Sequence, residues 1–165
     1  MLKGDEGSLD YAVLFLKDVV SEDPRLEGAL TLLGTAYYRL GRYQEAFKIL
    51  QRALAVNRND EIAWLVLGLA QLRLGQDEKG INSLKGAITL LNKASTSGYR
   101  GFPNWDSKGL VRSAMRRAAF RLVRVPGIKE DIIESCELLL GRVDEEELAQ
   151  QGESPPKGPT DKPSS

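Results

Sequence analysis

Apolar residues recur at three- and four-residue spacings over 9–20, 29–40, 46–56, 62–74, 81–91, 110–123 and 132–140, and no strand-like alternation persists. The spacing predicts seven helices. Glycine or proline separates most of them, at Pro24, Gly41, Gly75 and Pro126-Gly127. Two breaks differ. Residues 95–106, STSGYRGFPNWD, form a long connection with Tyr99, Phe102 and Trp105, and residues 149–165 are rich in proline and nearly free of apolar side chains. The latter are expected to be a disordered tail. The stretch 62–74, IAWLVLGLAQLRL, is polar only at Gln71 and Arg73. As a helix it rises about 20 Å, short of the ~30 Å of a bilayer core, so protein must cover it.

The helices repeat. With an offset of 34 residues, Leu30 falls on Trp64, Leu33 on Leu67, Gly34 on Gly68, Leu40 on Leu74 and Gly41 on Gly75. Ala46 falls on Gly80, Leu50 on Leu84 and Ala53 on Ala87. Shifted the other way, Gly7 matches Gly41, Ala12 matches Ala46, Leu16 matches Leu50 and Val19 matches Ala53. A fixed period with helix–turn–helix content implies stacked units, each burying its apolar face against the next. Gly34 and Gly68 are expected where the two helices of a unit approach most closely, and Trp64 is expected as a large buried anchor.

The motif carried by Leu30, Leu33, Gly34, Tyr37, Gly41, Ala46 and Ala53, and again by Trp64, Leu67, Gly68, Gly75 and Ala87, resembles the tetratricopeptide repeat over residues 7–91. Gln71 replaces the tyrosine and Gly80 the alanine in the later copy, and the closing proline survives only as Pro24. The resemblance implies an all-α, right-handed helical solenoid. Residues 1–94 are then the array (half repeat 7–26, repeats 27–60 and 61–94) and 95–106 the aromatic connection. A degenerate helical hairpin follows at 107–148, then the tail. The first residues fall in what would be the second helix of a unit. Either a partner caps Tyr11, Leu14, Phe15 and Val19, or the chain is a piece of a longer one, which is the favoured expectation.

In proteins similar to this one, the first helices line a concave groove that holds a peptide or helix. Carried onto this sequence, the groove would comprise Thr31, Thr35, Tyr38 and Arg39, then Ile62, Leu65, Leu69, Leu72 and Arg73. Its apolar anchors Leu65, Leu69 and Leu72 need a cover: a partner helix, or the 95–106 connection folded back. The groove lacks the Lys and Asn set with which similar chaperone-binding repeats grip a C-terminal carboxylate, so that partner class is set aside.

Beyond the repeats, Lys108, Arg112, Arg116, Arg117, Arg121 and Arg124 share one side of an amphipathic helix. Such a face can meet nucleic acid or an anionic surface. The more ordinary expectation is a solvated face with pairs to Glu130, Asp131, Glu134 and Glu137. Cys136, flanked by apolar residues and no cation, reads as a buried small hydrophobe.

Composition narrows the function. Acidic and basic residues both number 23, so no net field draws the chain to nucleic acid or membrane. Histidine is absent, which removes the commonest general base and metal ligand. With no phosphate-binding or metal-spaced motif, the expectation is a non-catalytic adaptor without cofactor or metal, binding a protein or peptide partner. The rivals are a secretion- or assembly-type chaperone holding an unfolded client and, more weakly, a nucleic-acid binder using the basic helix. A single cysteine and an acidic N-terminus point to the cytoplasm.

Overall fold

The computed structural model describes residues 3–26, 28–96, 102, 104–123 and 128–152. Tyr99, Arg124, the Pro126-Gly127 turn and residues 153–165 lie outside them. Seven helices form in the described residues, in the order α1 (Lys3–Glu22), α2 (Ala29–Arg39), α3 (Tyr43–Val56), α4 (Glu61–Arg73), α5 (Asp77–Thr96), α6 (Leu110–Val123) and α7 (Lys129–Gly152). No strand is present among those residues. The result is a helical repeat solenoid in which α1 packs on α2, α2 on α3, α3 on α4 and α4 on α5, with α6 and α7 as a further pair.

Each repeat closes by the same local chemistry. Gly41 and Gly75 adopt φ +80° and +83°, which L side chains rarely reach. That conformation turns the chain so that Arg42 and Gln76 amides bond back to the Tyr37 and Gln71 carbonyls at 2.9 and 2.8 Å. The Asp60 carboxylate begins α4 by accepting from the Ala63 amide at 3.0 Å. Gly7, aligned with Gly41 by sequence, makes no such turn; α1 runs straight through it.

Within a repeat, contact is close enough to require glycine. A Cβ on Gly34 would stand 2.5 Å from Leu50 Cγ, and one on Gly68 would stand 2.7 Å from Leu84 Cγ and 2.9 Å from the Gly80 carbonyl. Gly80, in place of the usual alanine, therefore lets the two backbones approach. Gln71, in place of tyrosine, accepts a 2.6 Å bond from the buried Ser83 hydroxyl. Trp64 departs from its expected role: it is only partly buried, and its indole N–H donates to the Arg58 carbonyl at 2.8 Å.

The second correction concerns α7. The apolar spacing at 132–140 marks only its middle, and helix persists to Gly152, four positions into the stretch read as tail. Its last turns are tied down: Gln150 Nε2 donates to the Asn104 carbonyl at 3.2 Å and to Glu146 at 2.7 Å. Asp106, at φ 55°, caps α6 by accepting from the Val111 and Arg112 amides at 2.8 and 2.9 Å. Its own amide donates to Glu146 at 2.8 Å. The described part of the aromatic connection is thus anchored on α7, with Trp105 buried.

Candidate functional site

The concave surface belongs to the first helices α2 and α4, and α7 lies across part of it. Ile133, Cys136, Leu140 and Val143, at helical spacing along α7, are all buried, as are Leu65, Leu69 and Leu72 of α4, against which α7 packs. These three leucines do not line an open groove. Helix α7 packs along α4 on this side, and the Leu72 side chain also rests against Gly80 of α5.

Polar contacts fix α7 in place. Arg73 donates to Glu137 at 2.8 Å and to the Tyr38 hydroxyl at 3.2 Å, and Tyr38 donates to the same Glu137 oxygen at 2.5 Å. The Arg73 guanidinium also lies 5.5 and 5.9 Å from the rings of Tyr43 and Tyr38. Arg39 pairs with Asp144. Lys129 Nζ reaches the Leu72 carbonyl at 3.1 Å and Asp77 at 2.9 Å, so α7 caps the end of α4. Glu137 and Asp144 are two helical turns apart, about 10 Å. That matches the 8–10 Å typical between packed helices, so each acid meets the terminal arginine of a different repeat.

This setting tunes the buried groups. Burial, and then the bond to Glu137, push the Tyr38 hydroxyl well above its usual range. It therefore remains a donor. Burial opposes the charge on Arg73, but its bonds to Tyr38 and Glu137 outweigh that and hold it protonated. The Cys136 thiol is pushed up to about 12, first by burial and then by the Glu137 charge. It is a core thiol and not a nucleophile.

What α7 leaves uncovered is a cavity of about 770 Å³ between α1, α2, the α3–α4 loop and the last turns of α7. Of the nine sequence-predicted groove residues, Thr31, Thr35, Arg39 and Ile62 line it. Thr31 contributes little polarity, because its hydroxyl is spent on Asp60 at 2.5 Å. Tyr38 and Arg73 belong to the α7 clasp. Sequence reasoning missed Leu9, Ala12 and Leu16 of α1, Leu32 of α2, and Leu148 and Gln151 of α7. Leu16 carried a signal, since it aligns with the core residue Leu50.

Lys108, Arg112, Arg116, Arg117 and Arg121 are exposed on or beside α6. Arg121 pairs with Asp131 and Arg112 with Asp106, both at 3.4 Å. Glu137 faces α4, away from this set. Among the described residues no group of His, Cys, Asp and Glu could hold a metal, and no helix is long and apolar enough to cross a membrane.

Three comparisons with known proteins bear on this arrangement. The model of the family described as anaphase-promoting complex, cyclosome, subunit 3 matches residues 5–87, from α1 to the middle of α5. The crystal structure of MamA is similar to the fold, with a TM-score of 0.51 and 19% identity over 88% of this chain and 95% of that one. No curated protein matches in sequence. With thirty-four-residue units, glycine-mediated helix contacts and this matching span together, the chain belongs to the tetratricopeptide-repeat family, in the group that the anaphase-promoting complex, cyclosome, subunit 3 model defines.

Proposed function

We propose that the chain is a non-catalytic scaffold that holds a partner protein on the part of its concave face left open by α7. The carrying observation is the cavity itself. It is large enough for side chains of a docked segment, lined by leucines of α1, α2 and α7 together with threonine, asparagine and acidic side chains, and it adjoins the surface on which α7 packs. The helix α7 acts as a built-in ligand that shows what the face accepts: an amphipathic helix with acids spaced to meet Arg39 and Arg73. Cys136 suits a reducing cytoplasm, which we take as the compartment.

The test compares affinity capture by the native chain, a Thr35→Trp variant that fills the cavity, and an Arg116→Glu/Arg117→Glu variant. Loss of partners with Thr35→Trp, at unchanged helical circular dichroism, is the expected result. Unchanged partners with that variant would remove the cavity as the binding surface. Loss with the charge-reversed variant alone would move binding to the basic face of α6.

A further inference from the structure

The cavity repeats, in outline, a position that is filled elsewhere in the molecule. In each complete repeat the second helix buries a small–large–small series against the first. These are Ala46, Leu50 and Ala53 of α3, paired with α2, and Gly80, Leu84 and Ala87 of α5, paired with α4. All six are buried. The matching residues of α1, Ala12, Leu16 and Val19, are only half-buried. Leu32 of α2 is 61% exposed, whereas Val66, its counterpart one repeat later, is 0% exposed. Ala12, Leu16 and Leu32 all line the cavity.

An independent measure comes from α7. Its acids step by seven residues from Arg73 to Arg39, one first helix per step. A further step from Asp144 arrives at Gln151, which lines the cavity together with the 69% exposed Leu148. Helix α7 therefore reaches about one helix width beyond α2.

We infer that this face receives one additional first helix, supplied by a partner protein and docked on α1 and α2 beneath the last turn of α7. The inference rests on the reading that the open face holds a partner protein, and it specifies the segment. Over Leu16 the docked helix carries glycine or alanine, because Gly34 and Gly68 occupy that place against Leu50 and Leu84 and a larger group there meets carbon at under 3 Å. It carries leucine one position before the small residue, as Leu33 and Leu67 do. A polar residue follows five positions after it, as Arg39 and Arg73 do, within reach of Gln151. Residues 153–165, ESPPKGPTDKPSS, hold no apolar side chain beyond proline and cannot supply such a helix. A second copy of the chain would offer the exposed Tyr11, Leu14 and Phe15 of its α1, which carry no Leu-Gly pair.

The probe is a fluorescently labelled peptide with the sequence of residues 27–42, EGALTLLGTAYYRLGR, titrated with the full chain by fluorescence anisotropy. Saturable binding is expected, weakened at least about tenfold when the peptide's glycine at the Gly34 position becomes leucine. A similar loss is expected when the chain carries Leu32→Lys, an exposed site whose folding is checked by circular dichroism. No saturable binding, or equal binding by the glycine and leucine peptides, overturns the inference. Equal or stronger binding to Leu32→Lys means that the peptide displaces α2 and also overturns it. A concentration-dependent dimer that Leu32→Lys abolishes, seen by sedimentation, assigns the face to a second copy instead. If the peptide fails while Thr35→Trp still loses captured partners, the scaffold reading stands and only the kind of segment is wrong.

Discussion

The two complete repeats place equivalent residues under different cover. On α4, against which α7 packs, Leu65, Leu69 and Leu72 are buried. Thirty-four residues earlier, Thr31, Thr35 and Tyr38 hold the same places on α2, where Thr35 borders open space and Tyr38 turns its hydroxyl to Glu137. Side-chain chemistry differs accordingly: three buried leucines on α4, and on α2 a buried Thr31 bonded to Asp60, a Tyr38 held by Glu137 of α7, and a Thr35 at the edge of the cavity. The concave surface is therefore two surfaces, one on which α7 packs and one that borders a cavity.

Exchanging a residue across that divide tests it most severely. Leu69→Glu would bury a charge under α7 and is expected to cost more than about 4 kcal/mol or abolish folding. Thr35→Glu at the matching open place should stay within about 1 kcal/mol, both measured by urea denaturation. Gly68→Ala comes next, at about 1–3 kcal/mol, because the new methyl meets the Gly80 carbonyl as well as Leu84. Gly34→Ala should cost less, since only the Leu50 side chain must move.

Removing the clasp takes away the polar anchor of α7 and leaves its apolar contacts with the core in place. Glu137→Ala leaves the Tyr38 hydroxyl without its acceptor and should cost about 1–2 kcal/mol. Amide exchange should speed up in α7 more than in α2–α5. Alkaline pH probes the same place. Cys136 and Tyr38 have raised values in the fold, so each stabilises it fully below its unfolded value, near 9 and 10, and ever less as pH rises above that. Stability should fall from about pH 9 upward, by at most ~1.4 kcal/mol per pH unit for each group. Cys136→Ala should delay the onset by about one unit. The smallest effect is expected from Arg39→Ala, under about 1 kcal/mol, because its pair with Asp144 is well exposed.

All seven helices could be read from the sequence because their evidence is local: apolar spacing, Gly41 and Gly75 at the turns, and a period that places Gly34 and Gly68 against leucines. The destination of α7 could not. A periodic apolar stripe shows that a helix is covered, not by which neighbour, and Glu137 lies 99 residues from Tyr38 and 64 from Arg73. One clue was present. Ile132-Ile133 and Leu139-Leu140 are adjacent pairs that point to different sides, wider than a single hairpin partner requires. The open half was partly legible, through Thr35 and Ile62. On α1 the sequence offered Tyr11, Leu14, Phe15 and Val19 as a face for a partner to cap, whereas Leu9, Ala12 and Leu16 line the cavity.

The attachment of α7 by a continuous chain also sets a threshold for outsiders. A helix tethered in this way acts at an effective concentration on the order of millimolar. A free helix seeking Leu65, Leu69 and Leu72 with merely micromolar affinity would compete poorly against it at cellular abundance. The same competitor arriving at the cavity beside α1 would meet no tethered helix among the described residues, so mass action would favour that end.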